Sequence, residues 1–417
     1  MENPEIKKSP IKPGFWAALV LTFLVAMLLT IILENRWYSY AVTGGVASAL
    51  LTIRIKLSPQ GLRYGAVWLL CLCLLALSVA FGRSALSVSL TGDLFNKGFR
   101  AINHVYARSH GSAIFHDTML NGQREPYDFE SWQAPQGYRN SKISLSNSSG
   151  YLLTRDNGNH KKVIYQLHGG GYIGVFNKIY NDRALQYSAC YDGADVFSLD
   201  YRTAPDHLYP AALEDALEGY QWLLEQGYPA DQIILCGDSA GGGLALATTL
   251  YLRDHNQALP ELLILSSPWA DLAQTGESYS TNIQKDAFFG LPDADMKPQY
   301  PIPILYAGDH DLHDPYLSPV YADYANMPPM LIQAGGDEIL LSDSQTIAAK
   351  AKEAGTEVKF LTYEGMYHAF YIVTPHFREG KDAWAEIERF IREHASSGQF
   401  TEKIKLPITF TPERSTG

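Results

Sequence analysis

Gln232-Ile233-Ile234-Leu235-Cys236-Gly237-Asp238-Ser239-Ala240-Gly241-Gly242 is the stretch that decides the fold. Its opening run, Gln232–Leu235, is short, continuous and apolar, as a strand covered on both faces should be. Helical spacing begins at Ala240 and continues to Arg253. Gly237 and Gly241 flank Ser239 because a strand that turns sharply into a helix leaves no room for a Cβ. The serine is thereby held at the carboxyl end of the strand with a helix N-terminus beneath it, the setting of a nucleophile elbow. Glycine is too common for G-x-S-x-G alone to mean much. The strand–turn–helix setting makes the motif informative.

Outward from this stretch, strands and helices alternate. Further strands are expected at Lys142–Leu145, Tyr151–Thr154, Val163–Leu167, Val196–Leu199, Leu262–Leu265, Met330–Gln333 and Val358–Leu361. Helices are expected at Asn181–Cys190, Ala211–Gln226, Asp343–Ala354 (with Ser342 as N-cap and Gly355 as C-cap) and Asp382–Glu393. Such alternation predicts an α/β domain, a mostly parallel central sheet with helices on both faces. Leu94–Arg108 carries Phe95, Phe99, Ile102 and Val105 at helical spacing and reads as a small cap or connecting helix. The expected organisation is a membrane region over 1–83, a cap segment over 84–140, the catalytic domain over 141–395 and a polar tail over 396–417.

Other motifs fall at strand ends. His168-Gly169-Gly170-Gly171-Tyr172 follows Val163–Leu167 directly. A tetrahedral intermediate of acyl transfer carries negative charge on oxygen, and backbone N–H groups aimed at it stabilise it. The expected donors are Gly170, Gly171 and Ala240. A phosphate-binding reading of the glycines lacks the G-x-G-x-x-G or Lys-Ser/Thr that it would need. The serine needs a base, and the base an orienting acid. Of the histidines beyond Ser239, only His368 follows the last strand by a short loop. Asp337 follows Met330–Gln333 through Gly335-Gly336, so the expected triad is Ser239, Asp337 and His368. Among the other acids, Glu338 is expected to point elsewhere, Asp309 and Asp311 to lie on a surface loop, and Asp343 to serve a helix's first turn. Asp238 receives no role. Tyr172, Phe176, Trp269, Phe288 and Phe289 are expected to line a small to medium acyl pocket, against plain core packing as the alternative.

These residues carry a resemblance. From about Lys142 to His394 the chain resembles the hormone-sensitive-lipase-like branch of the α/β-hydrolases, the bacterial family IV esterases. The matching stretches are His168-Gly169-Gly170-Gly171, Asp200-Tyr201-Arg202 with Ala204-Pro205-Asp206-His207, Pro210-Ala211-Ala212-Leu213-Glu214-Asp215, Gly237-Asp238-Ser239-Ala240-Gly241-Gly242 and Gly365-Met366-Tyr367-His368-Ala369-Phe370. The resemblance implies an α/β-hydrolase fold and an esterase acting on small-molecule or lipid esters through an acyl-enzyme, with no metal and no cofactor. It implies Ser239, Asp337 and His368 as triad, Gly170, Gly171 and Ala240 as oxyanion donors, and a structural role for the Asp200–Asp215 block. An acyltransferase or amidase would use the same acyl-enzyme. A non-catalytic ligand-binding module of this fold is disfavoured because all three triad positions are filled. A membrane-tethered member is also similar to arylacetamide deacetylases, which have a single anchor.

The N-terminal region departs from that pattern. Phe15–Leu33 is uncharged over 19 residues and Tyr64–Phe81 over 18, while Trp37–Ile53 is shorter and holds Gly44, Gly45, Ser48 and Thr52. A bilayer-spanning helix needs about 20 apolar residues, so about three transmembrane helices are expected. A cleaved signal peptide would have a shorter apolar run. Lys7, Lys8 and Lys12 precede the first run, only Arg36 lies between the first two, and Arg54, Lys56 and Arg63 lie between the last two. Basic residues favour the cytoplasmic side, so the hydrolase is expected outside the cytoplasm, in a periplasm or organelle lumen, with the bilayer as a partner. The net charge of −11 excludes the basic footprint of a nucleic-acid binder. Cys71, Cys73, Cys190 and Cys236 have no metal-site or disulfide spacing and read as four free thiols.

Overall fold

The computed structural model describes residues 88–122 and 125–395. The three apolar runs, Cys71 and Cys73, and the tail from 396 lie outside the described residues. No described helix is long and apolar enough to cross a membrane.

Eight strands form one sheet: β1 (Tyr138–Ser144), β2 (Ser149–Arg155), β3 (Asn159–Leu167), β4 (Ala194–Asp200), β5 (Ile233–Asp238), β6 (Leu262–Ser266), β7 (Met330–Gly335) and β8 (Val358–Tyr363). Their spatial order is β1-β2-β4-β3-β5-β6-β7-β8. β1, β2 and β4 pair antiparallel, and every pairing from β4 through β3 to β8 is parallel. All eight expected strands are present. β5, β6 and β7 are buried along their whole length, which is why they read as unbroken apolar runs rather than alternating ones.

The helices are α1 (Leu90–His110), α2 (Ile114–Asn121), α3 (Lys178–Cys190), α4 (Ala211–Glu225), α5 (Ala240–Asp254), α6 (Leu341–Glu353) and α7 (Arg378–His394), with shorter turns between them. β3 has β4 on one side and β5 on the other. Right-handed crossovers therefore carry α3 and α4 over opposite faces. This reversal opens a crevice at the carboxyl ends of β3 and β5, where ligands of open α/β sheets bind.

Two local expectations fail. Ser342 lies within α6 rather than capping it, since Leu340 is the N-cap, and the Ser342 hydroxyl meets that of Ser278 instead. Gly355 stands just past the C-cap Ala354, with φ +77°. The cap helix α1 also turns inward only part of the expected face, Phe95 and Phe99 packing on Tyr367 and Phe288 at 5.0 Å each. Ile102 and Val105 are 62% and 66% exposed, while Asn96, Asn103 and Ala107 are buried. The helix packs through Gly92, Asn96, Phe99, Asn103 and Ala107, at i, i+4 and i+3 spacing, and its amides do the docking. An apolar-only pattern cannot reveal a face held by polar side chains. Cys190 and Cys236 are free thiols.

Candidate active site

Ser239 stands between β5 and α5 at φ 54°, ψ −123°, a conformation that L-residues adopt only when their surroundings enforce it. Its N–H donates to Ser266 O (2.9 Å), and its carbonyl accepts from Trp269 N (2.8 Å). A Cβ on Gly241 would collide with the carbonyl oxygens of Leu167 and His168, and one on Gly237 with the Gly241 carbonyl. The glycines let the first turn of α5 press against the ends of both β3 and β5. Ala240 takes the first helical position, where an N–H has no intrahelical acceptor.

The loop after β3 turns back across this helix end. Gly170, Gly171 and Tyr172 have φ of +116°, +64° and +57°. Ile173 N and Gly174 N both donate to Gly170 O (3.1 and 2.8 Å). The N–H groups of Gly170 and Gly171 donate to no backbone or side-chain acceptor among the described residues. His168, at the loop's start, is fully buried and stacks on Tyr201 at 4.1 Å. Burial pushes its pKa down to about 4. It is a neutral ring whose Nδ1 donates to Gly169 O (2.8 Å), and it shapes the loop rather than moving protons.

His368 follows β8, and its Nδ1 lies 2.8 Å from Glu338 Oε2. The other Glu338 oxygen accepts from Gly335 N (3.2 Å), and the side chain is fully buried. Burial alone disfavours the imidazolium. The hydrogen bond and charge of Glu338, helped by Asp286 and Asp238, outweigh it and hold the His368 pKa above the usual 6.5. The charge of Asp238, the residue before Ser239, is thus felt at this ring.

The geometry brings Glu338, which was expected to point elsewhere, rather than Asp337 to His368 Nδ1. Asp337 Oδ2 accepts from Asn96 Nδ2 of the cap helix (3.0 Å) and lies 4.0 Å from Arg100 Nη1. Both residues lie in the turn after β7, which sends the Asp337 carboxyl to Asn96 and the Glu338 carboxyl to the histidine. Sequence position alone leaves that choice open by one residue. Asp309 and Asp311 are exposed, as expected. Asp343 is buried and binds Ala270 N and Asp271 N (2.9 Å each) rather than serving its own helix.

The five aromatics divide. Trp269 is fully buried, and its ring edge lies 3.9 Å from where a Cβ on Gly171 would stand. Tyr172 stacks on Tyr306 at 4.3 Å. Phe289 lies edge-on to the His368 ring at 5.7 Å, and Phe288 packs against Phe99 and Phe115 of the cap at 5.0 and 4.6 Å. Phe176 is instead taken up by a core cluster with Tyr151 and Tyr180, flanked by Tyr127 and Phe129.

Three positioning groups had no sequence signal. The buried Asp286 carboxylate accepts from Phe288 N, Phe289 N and Ile339 N (2.7, 2.9 and 2.8 Å), pinning the aromatic pair beside the Glu338 turn. Asn96 also donates to Gly365 O (2.8 Å), and so joins the cap to the loops that carry Glu338 and His368. Met119 of α2 reaches the glycine loop after β3, its Sδ 3.1 Å from the Cβ position of Gly171. The Asp200–Asp215 block is structural, with Arg202 N and Nε donating to the buried Asp215 carboxylate (2.8 and 2.9 Å).

A family described as having the α/β hydrolase fold matches residues 164–372. The chain is 37% identical over 239 residues to an acetyl-hydrolase of Streptomyces hygroscopicus, covering 57% of this chain and 77% of that protein. It is 37% identical over 231 residues to an esterase of Acinetobacter venetianus, covering 55% and 74%. The crystal structure of an esterase from the bacterial hormone-sensitive lipase family superposes with a TM-score of 0.57 at 32% identity, over 64% of this chain and 88% of that one.

Proposed function

The chain belongs to the α/β-hydrolase fold family, and from that premise we propose that it is a serine carboxylic-ester hydrolase whose triad is Ser239, His368 and Glu338. The observation that carries this reading is the 2.8 Å bond between His368 Nδ1 and the buried Glu338 carboxylate, at the sheet edge that holds Ser239 in its strained turn. The esterase and acetyl-hydrolase relatives support the same class.

Glu338 fixes the proton on Nδ1 and leaves Nε2 as the base. His368 takes the Ser239 hydroxyl proton as Oγ bonds to the ester carbonyl carbon. The carbonyl oxygen becomes an oxyanion, received by the N–H groups of Gly170, Gly171 and Ala240. The C–O bond to the alcohol then breaks, and His368 returns its proton to the leaving alkoxide. Water, deprotonated by the same ring, attacks the acyl-enzyme. The second tetrahedral intermediate expels Ser239, which recovers the proton, and the free acid leaves.

The substrates are esters of short to medium acyl chains. Met119 lies tight against the Cβ side of Gly171 and the buried Trp269 ring is in contact there, which supports a confined space beside the oxyanion loop. We read the protein as an integral membrane enzyme with its hydrolase domain outside the cytoplasm, on the uncharged runs and the alternation of basic segments in the sequence. A p-nitrophenyl ester series from acetate to palmitate tests the activity. The rate should peak below about ten acyl carbons, and Ser239→Ala should reduce it to background. Turnover retained in Ser239→Ala would overturn the assignment, and a peak at palmitate would overturn the confined pocket.

A further inference from the structure

The oxyanion pocket is assembled from two separate pieces of chain. Gly170 and Gly171 come from the loop after β3, and Ala240 comes from the turn after β5. Their separation decides whether three N–H groups converge on one oxygen, and backbone hydrogen bonds between β3 and β5 stop at Leu167 and Gly237. Beyond that point the side chains of Asp238 and Tyr180 carry the contact, the Asp238 carboxyl meeting Gly169 directly and the Tyr180 hydroxyl bridging the two. Tyr180, on the first turn of α3, accepts from Gly169 N–H at 2.8 Å and donates to Asp238 Oδ2 at 3.2 Å. Gly169 immediately precedes the first loop donor, and Asp238 immediately precedes Ser239.

We propose that Tyr180 is a positioning residue for catalysis, its hydroxyl clasping the oxyanion loop to the nucleophile turn through Asp238. The proposal rests on the reading of Ser239 as nucleophile. Tyr180 does not touch substrate. It is buried in the aromatic cluster with Tyr151 and Phe176, which fixes the ring and so the hydroxyl. An O–H group can donate once and still accept, and this one does both across the seam. Glycine is required at 169 because a Cβ there would run into the Asp238 carboxylate, so loop and turn lie in direct apposition. Asp238 thereby gains the role that the sequence left unassigned. It is buried, with its carboxyl pushed up to about 6 by loss of water, and the Tyr180 hydroxyl is one of the donors that sustain its charge.

Losing the hydroxyl frees the loop to shift against the turn, which harms the tetrahedral state far more than ground-state binding. The test compares wild type, Tyr180→Phe, Asp238→Asn and the double variant on the pH plateau, with active sites counted by burst titration. Affinity for phenylboronic acid, which adds to serine as a tetrahedral anion, is measured alongside. Tyr180→Phe should lower kcat about tenfold and weaken boronate binding by the same factor, with KM within about twofold. Asp238→Asn leaves a weaker, neutral acceptor and should lose about threefold. The double variant should lose clearly less than the product of the two single losses, because the changes share one link. Unchanged kcat and boronate affinity per titrated site would overturn the proposal, whatever the loss of melting temperature, and so would losses that multiply. If Tyr180→Phe yields no folded protein, unchanged boronate affinity in Asp238→Asn overturns it alone. A wild-type protein that cleaves no ester would instead refute the hydrolase reading.

Discussion

Replacing Glu338 by Gln and Asp337 by Asn tests which of two adjacent carboxylates serves His368. In the structure Glu338 offers one oxygen to His368 Nδ1 and the other to Gly335 N–H. A glutamine has only one oxygen. If its amide group faces His368, the ring must carry its proton on Nε2 and cannot act as a base. If it faces Gly335, two donors oppose each other in a fully buried site. The lost charge adds to this. At about 4 Å and an effective dielectric of about 20, a carboxylate stabilises an imidazolium by about 4 kcal/mol, or roughly 10³ in rate. With the tautomer error included, kcat for p-nitrophenyl acetate should fall about 10³–10⁴-fold in Glu338→Gln. Asp337→Asn keeps an acceptor for Asn96 on a partly exposed side chain, and should cost less than about fivefold. The pH profile gives an independent reading. His368 must be neutral to accept a proton, and its pKa is held above 6.5, so the acidic limb of kcat/KM in the wild type should lie above that value. Removing the carboxylate removes the main upward influence, so the limb should move to lower pH in Glu338→Gln and stay in place in Asp337→Asn. An inactive Asp337→Asn beside an active Glu338→Gln would refute the reasoning.

Gly241→Ala should destabilise the fold by about 3 kcal/mol or more, read as a lower urea midpoint. Its Cβ meets the Leu167 and His168 carbonyls, which cannot retreat without moving the oxyanion loop; an unchanged midpoint would contradict the close approach. Alkaline phosphatase fused after Arg83 should be active, and a cytoplasm-dependent fluorophore there dark, if the three apolar runs all cross the bilayer. The reverse pair of results would mean that Trp37–Ile53 does not span.

The sheet was legible because burial and chain direction leave a local mark. Strands covered on both faces read as apolar runs, helices show their 3.6-residue spacing, and each expected strand lies within an observed one or overruns it by one residue. The places of Ser239 and His368 at strand ends were legible for a related reason. A sharp strand-to-helix turn needs glycine at fixed offsets, and His368 follows the last strand by a short loop. What sequence could not reach is set by side-chain direction. Asp337 and Glu338 are neighbours in the turn after β7, and only the packed structure brings Glu338 rather than Asp337 to the His368 ring. Part of the inner face of α1 escaped the hydrophobic pattern because Asn96 and Asn103 make its contacts through hydrogen bonds. Phe176 looked like a pocket residue by its distance from the oxyanion glycines, yet the positive φ values of that loop turn the following chain back into the core. Tyr180 carries no local signature, since its partners lie 11 and 58 residues away; Asp286 bonds the nearby Phe288 and Phe289 amides, and only its bond to Ile339 N, 53 residues on, ties it to the Glu338 turn. The sequence by itself determined the sheet and the strand-end turns that carry Ser239 and His368, each written in neighbouring residues. Tertiary structure alone decided which carboxylate meets His368, how Asn96 bonds the turn beyond β7, and where the Tyr180 hydroxyl sits, because each depends on where distant segments meet.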